Sequence, residues 1–210
     1  MASESDSILR KAVLDVVRNI HEKEYEGIVV SGRSQAISYS WFHAAWENLY
    51  GRRHPPRFFE IAREDNEYLY AYDKLDDDIC RHLRILTRAE VESHFRQKYP
   101  EFWGAKDQRL CYLDDVAFSG VKHQATVKTF KGWGYGQMGF ALFCAARKDY
   151  LMPGTIVGII SPELAISVYV LAKGIGGTST RIYDLRSEDE IVRESGLEIQ
   201  RMTKNIEGRK

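Results

Sequence analysis

Four short apolar runs limit what this chain can fold into: Gly27-Ile28-Val29-Val30, Leu110-Cys111-Tyr112-Leu113, Phe140 to Ala145, and Thr155 to Ile160. Each is too short for a typical helix and too uniformly apolar for a strand with one wet face, so each reads as a strand buried on both sides. Segments of helical spacing separate them. Asp6 to His21 sets Ile8, Val13, Val16, Val17 and Ile20 on one stripe behind Ser5, Asp6 or Ser7 as a cap, and a second helix runs from Ser34 to about Tyr50 with Gly51 as its stop. Thr87 and Glu90 have capping-box spacing at the head of a helix that ends near Pro100. Ser161-Pro162 opens an apolar helix to Lys173, closed by Gly174 and expected to be buried because it has no polar face. A strand from Thr178 to Tyr183 and a helix from Glu188 to Met202 complete the pattern. This alternation predicts an α/β fold: a mainly parallel sheet with helices on both faces, in three layers.

One stretch breaks the rhythm. Phe58-Phe59-Glu60-Ile61 and Tyr68-Leu69-Tyr70-Ala71-Tyr72 alternate with period two around a polar loop, which predicts a β-hairpin insertion over 57–73. Its alternation puts Tyr68, Tyr70 and Tyr72 on one face, either packed against the sheet or covering a site.

The 210 residues fit a single domain over 1–204 with a polar tail over 205–210. Thirty basic residues balance thirty acidic ones, which argues against wholesale binding to nucleic acid or an anionic membrane. Of the three cysteines, Cys111 and Cys144 lie in apolar runs and Cys80 in a polar one. An odd count of this kind predicts reduced thiols and a cytoplasmic protein. The first residues lack an apolar signal region, and Pro162-Glu163 interrupts the most apolar stretch, so no membrane span is expected.

Chemistry gathers after the second apolar run. Asp114-Asp115 closes it, Ser119-Gly120-Val121-Lys122-His123 follows as a small-residue turn, and Gln124 to Phe130 continues as a helix. Amides at such a turn attract phosphate, and carboxylates at a strand's carboxyl end suit sugar hydroxyls or a bound cation. The same letters also describe an ordinary turn in which one Asp caps the helix and the other faces water. Ser31-Gly32-Arg33-Ser34 after the first run is a similar turn: Gly32 lets backbone approach an anion and Arg33 supplies charge, unless Arg33 merely sits in solvent. Gly134, Gly136 and Gly139 spell G-x-G-x-x-G, but they precede an apolar strand instead of following one, which excludes the dinucleotide fingerprint. Asp76-Asp77-Asp78 reads as a solvated turn.

The frame LDDVAFSGVK resembles the phosphoribosyl-pyrophosphate loop of the phosphoribosyltransferase family: an apolar strand, two acids, two apolar residues, a variable one, then a hydroxyl-Gly-x turn. The resemblance covers Arg109 to Gln124 and, more weakly, SGRS. It implies that Asp114 and Asp115 act as catalytic residues that meet the ribose hydroxyls and lie near Mg²⁺. It also implies that Ser119 to His123 wrap the 5-phosphate, and that Ser31, Gly32 and Arg33 contact pyrophosphate. The implied activity is transfer of a phosphoribosyl group from 5-phosphoribosyl pyrophosphate to a nitrogen nucleophile such as a nucleobase. Lys122 stands where the family has a second hydroxyl, and Phe118 where several purine-using members carry an Asp. These departures leave a second expectation, a catalytically inactive regulator on the same fold. The aromatic surplus permits a homodimer.

Overall fold

Five strands, β1 (Gly27–Ser31), β2 (Arg57–Ile61), β3 (Leu110–Ala117), β4 (Gly139–Ala145) and β5 (Ile156–Ile160), form one sheet in the order β2-β1-β3-β4-β5. Every recorded pairing is parallel. These come from a computed structural model that describes residues 4–32, 35–72, 75, 86–117, 120–149 and 151–176. Seven helices accompany the strands in that span: α1 (Glu4–Glu22), α2 (Gln35–Tyr50), α3 (Asn66–Ala71), α4 (Arg88–Lys98), α5 (Pro100–Gly104), α6 (Val121–Gly132) and α7 (Pro162–Gly176). The three-layer α/β architecture is the one the alternating runs predict.

Strand alternation sorts the core into two halves. On one face Val29, Phe59, Ile61, Leu110 and Tyr112 pack against Leu69 of α3, Val91 and Phe95 of α4, Phe102 of α5, and Val127 and Phe130 of α6. On the other, Ile28, Val30, Cys111 and Leu113 pack against Val13, Val16, Val17 and Ile20 of α1 and Phe42 and Trp46 of α2. A strand buried on both faces has no room for a polar side, which is why these runs are continuously apolar. Cys111 and Cys144 are buried free thiols, and burial pushes Cys144 up to about 11. Cys80 lies outside the described residues.

The sheet corrects three expectations. The hairpin is absent: residues 57–61 form β2, which pairs in parallel with β1, and Asn66 to Ala71 are helix α3. Tyr68, Leu69 and Tyr72 fit a helical face as well as a strand one, and tertiary contacts decide: Leu69 is fully buried and its carbonyl accepts the Thr129 hydroxyl of α6 at 2.7 Å. Just ahead of α3, the buried Asp65 carboxylate accepts from His94 Nε2 at 2.7 Å, Lys98 Nζ at 2.8 Å and the Tyr99 hydroxyl, anchoring that helix to α4.

The second correction is the length of β3, which runs to Ala117, so Asp114 and Asp115 sit inside the strand and not beyond its end. Pairing with β4 continues to Ala117 and Ala145, and this ladder holds the acidic pair extended. Third, α7 is only half-buried: Ala165 and Val168 enter the core while Pro162, Glu163 and Ser167 are exposed.

Other readings hold in detail. Thr87 and Glu90 form the complete capping box, the Ser161 hydroxyl accepts the Leu164 amide at 3.2 Å, and the glycines at 134, 136 and 139 lead into β4. The expected strand at 178–183, the helix at 188–202 and the tail at 205–210 lie outside the described residues. Among the described residues no helix is long and apolar enough to cross a membrane.

Candidate functional site

From β1 the chain proceeds outward to β2 on one side, whereas β3, β4 and β5 spread to the other, so the strand order reverses between β1 and β3. Ligands of open α/β sheets bind at the carboxyl ends of the strands at such a reversal. Here the β1-β3 ladder ends at Val29 and Tyr112 while β3 continues five residues further along β4. The two strands therefore part just where a crevice is needed.

Ser31, the last residue of β1, is 4 % exposed, and its hydroxyl lies 2.6 Å from that of Tyr112 across this gap. Gly32 follows with φ +75°, a conformation that side chains rarely adopt, and a Cβ there would lie 2.0 Å from Asn66 Nδ2. Asn66 opens α3, is 7 % exposed, and donates from Nδ2 to the Tyr70 hydroxyl at 3.3 Å. Its Oδ1 is buried without a partner among the described residues. Tyr70 in turn bonds to the Tyr112 hydroxyl. Burial drives the Tyr112 phenol well above its ordinary range, and the neighbouring Tyr70 and Asp114 add to the rise. Asn66, Tyr70, Tyr112 and Ser31 are thus joined hydroxyl to amide beneath the end of β1.

The facing wall is the start of α6. Gly120 takes φ +67° and turns the chain from β3 into the helix, whose first internal bond is the Gln124 amide to the Gly120 carbonyl at 2.8 Å. Amides ahead of that bond have no acceptor within the helix, and the dipole favours an anion there. Val121 and Lys122 are exposed, with the Lys122 ammonium 4.7 Å from the centre of the Tyr70 ring. His123 departs from expectation. Its ring is buried edge-on to Phe140, with Nε2 3.0 Å from the Thr155 hydroxyl. Burial lowers its pKa against the pull of Asp114. As the third residue of α6 it faces the sheet, so its imidazole does not serve the turn.

The acidic pair divides its labour. Asp114 shares the α6 face with Tyr112 and is half-buried, and its Oδ1 accepts the Asp115 amide at 2.9 Å. Asp115 points to the opposite face and is 3 % exposed; its Oδ1 accepts the Val116 amide at 2.8 Å, and its Oδ2 has no partner among the described residues. Burial, then the adjacent Asp114 charge and a hydrogen bond shared with Asp114, push the Asp115 carboxyl well above the usual carboxylate range. The two carboxylates thus face opposite sides of the sheet, Asp114 half-buried and Asp115 buried. Among the described residues no group of three or more His, Cys, Asp or Glu side chains gathers around a metal position.

Ser31, Gly32, Asp114, Gly120 and Lys122 are therefore brought to one rim, His123 and Asp115 are turned inside, and Arg33, Phe118 and Ser119 lie outside the described residues. Asn66 and Tyr112 line this candidate site without having been singled out in the sequence, and Tyr70 was named there only as one of a stripe that either packs on the sheet or covers a site. Tyr70 alone left a signal, in the aromatic stripe of 68–72.

No family model matches the chain, and no curated protein matches it. Among solved structures it is similar to the crystal structure of purine phosphoribosyltransferase from Pyrococcus horikoshii Ot3, with a TM-score of 0.39 and 13 % identity over 74 % of this chain and 83 % of that one. A likeness of that size carries nothing about the site, whose interpretation rests on the residues above.

Proposed function

We propose that this chain is a phosphoribosyltransferase-like protein that binds 5-phosphoribosyl pyrophosphate between the ends of β1 and β3 and transfers its phosphoribosyl group to a nitrogen nucleophile such as a nucleobase. The observation that carries this is the meeting, at the sheet's reversal point, of a left-handed glycine turn after β1, a half-buried carboxylate on β3 and a lysine at the opening of α6. In this reading Asp114 accepts from ribose hydroxyls, and the turn from Ser119 to Lys122 holds the 5-phosphate. Ser31, Gly32 and Arg33 face the pyrophosphate. The bond from the anomeric carbon to pyrophosphate oxygen breaks, the bond to nitrogen forms, and the Asp114 carboxylate offsets the positive charge that builds on the sugar. Asp114 is the residue that would hold Mg²⁺ with the ligand, and the cation would supply charge neutralisation for the pyrophosphate leaving group. A cytoplasmic enzyme of small-molecule metabolism, working as a homodimer, completes the proposal.

Asp115 favours a second reading. Its burial leaves a single acid at the rim, as befits a regulator that keeps the ligand and has lost turnover. Labelled 5-phosphoribosyl pyrophosphate with Mg²⁺ and a panel of nucleobases separates the two. Pyrophosphate release that disappears in Asp114→Asn supports the enzyme, saturable binding without release supports the regulator, and no binding defeats both.

A further inference from the structure

Lys122 sets its charge against an aromatic face. Among the described residues it forms no ion pair, and what approaches its ammonium is the face of Tyr70, 4.7 Å away. The distinction matters physically. A carboxylate partner would fix the lysine but cancel its charge, whereas an aromatic face fixes it through the ring quadrupole and leaves the charge available to an incoming anion. Tyr70 is itself fixed within α3, where its hydroxyl accepts from Nδ2 of Asn66, one turn earlier, at 3.3 Å. The Asn66 amide lies against Gly32, with a buried Oδ1 that has no partner among the described residues.

We infer that Tyr70 is a positioning residue for anion binding: its ring aims the Lys122 ammonium over the opening of α6, while its hydroxyl ties that arrangement to Asn66 and the end of β1. The ligand class is a phosphate or pyrophosphate group. The inference rests on the phosphate reading of the turn and adds a role on α3, an element that no loop motif includes.

Calorimetric titration of inorganic pyrophosphate into wild type, Tyr70→Leu, Lys122→Gln and the double variant tests it. Wild type binds, and Tyr70→Leu weakens binding by about threefold or more. In the Lys122→Gln background the Tyr70→Leu change has no further effect, because the lysine it positions is gone. Equal weakening in both backgrounds, or none in either, overturns the positioning role while leaving the phosphate reading intact. A wild type that takes up no pyrophosphate defeats that reading as well. Should Tyr70→Leu fail to fold, proton NMR of the wild type decides. Lys122 ε-methylene resonances shifted upfield by the ring, and moved on saturation with pyrophosphate, support the role, and resonances that pyrophosphate leaves unmoved overturn it.

Discussion

Ser31, two residues past the last pairing that joins β1 to β3, stands hydroxyl to hydroxyl at 2.6 Å with Tyr112, a member of that pairing. The contact closes the base of the crevice where backbone bonds have stopped. Ser31→Ala and Tyr112→Phe each remove this buried hydrogen bond, and each is expected to lower stability by about 1 kcal/mol. The double variant loses less than the sum, because both changes remove one bond. Urea unfolding checks this, and strict additivity would show that the bond is not what joins the strands there.

Gly32 tests the tightness of the first turn. Gly32→Ala places a side chain at φ +75° and against the Asn66 amide. The expected cost is about 2 kcal/mol. Adding Asn66→Ala relieves the clash but not the backbone conformation, so thermal melts are expected to recover only part of the loss.

Asp115 should make the fold less stable as pH rises. The folded chain keeps the proton on this buried acid, while the unfolded chain releases it near pH 4. Stability attributable to Asp115 is therefore complete below about pH 4 and falls by up to about 1.4 kcal/mol per pH unit above it, until the folded-state acid ionises. Asp115→Asn removes that decline, giving a protein that matches wild type at pH 3 and melts higher at pH 8. It also keeps ligand affinity where Asp114→Asn loses it. A variant that melts lower at pH 8 would mean that Asp115 is charged in the fold.

Asp65 works in the opposite sense. Burial alone would raise its carboxyl, but Lys98, Tyr99 and His94 outweigh burial and hold it below the usual range. Its contribution is present above about pH 4 and is lost as pH falls through the lowered value. Asp65→Asn is expected to cost about 2 kcal/mol at pH 7 and to flatten the acid limb of the stability curve. Melts at pH 7 and pH 3 measure both effects.

The strands were legible because burial on two faces writes itself into consecutive residues: β1, β4 and β5 follow the apolar runs at 27–30, 140–145 and 155–160 within a residue. The caps at Thr87 and Ser161 were legible because each is a local bond between near neighbours. What escaped was decided at a distance. Arg57 to Ile61 reads as a strand from its letters, but only the β1 ladder reveals a parallel partner. Asp115 looks like a terminal acid until pairing with β4 carries β3 past it and turns it inward. Asn66, Tyr70 and Tyr112 meet only after α3 has docked beside β3, and no spacing in the chain announces that.

The Thr129 hydroxyl on the Leu69 carbonyl spans sixty positions of chain to close the end of a helix six residues long. So brief a helix does not persist alone in water. Its amides should consequently exchange with deuterium no more slowly than those of α6, and loosening the longer helix should release the shorter one in the same opening event.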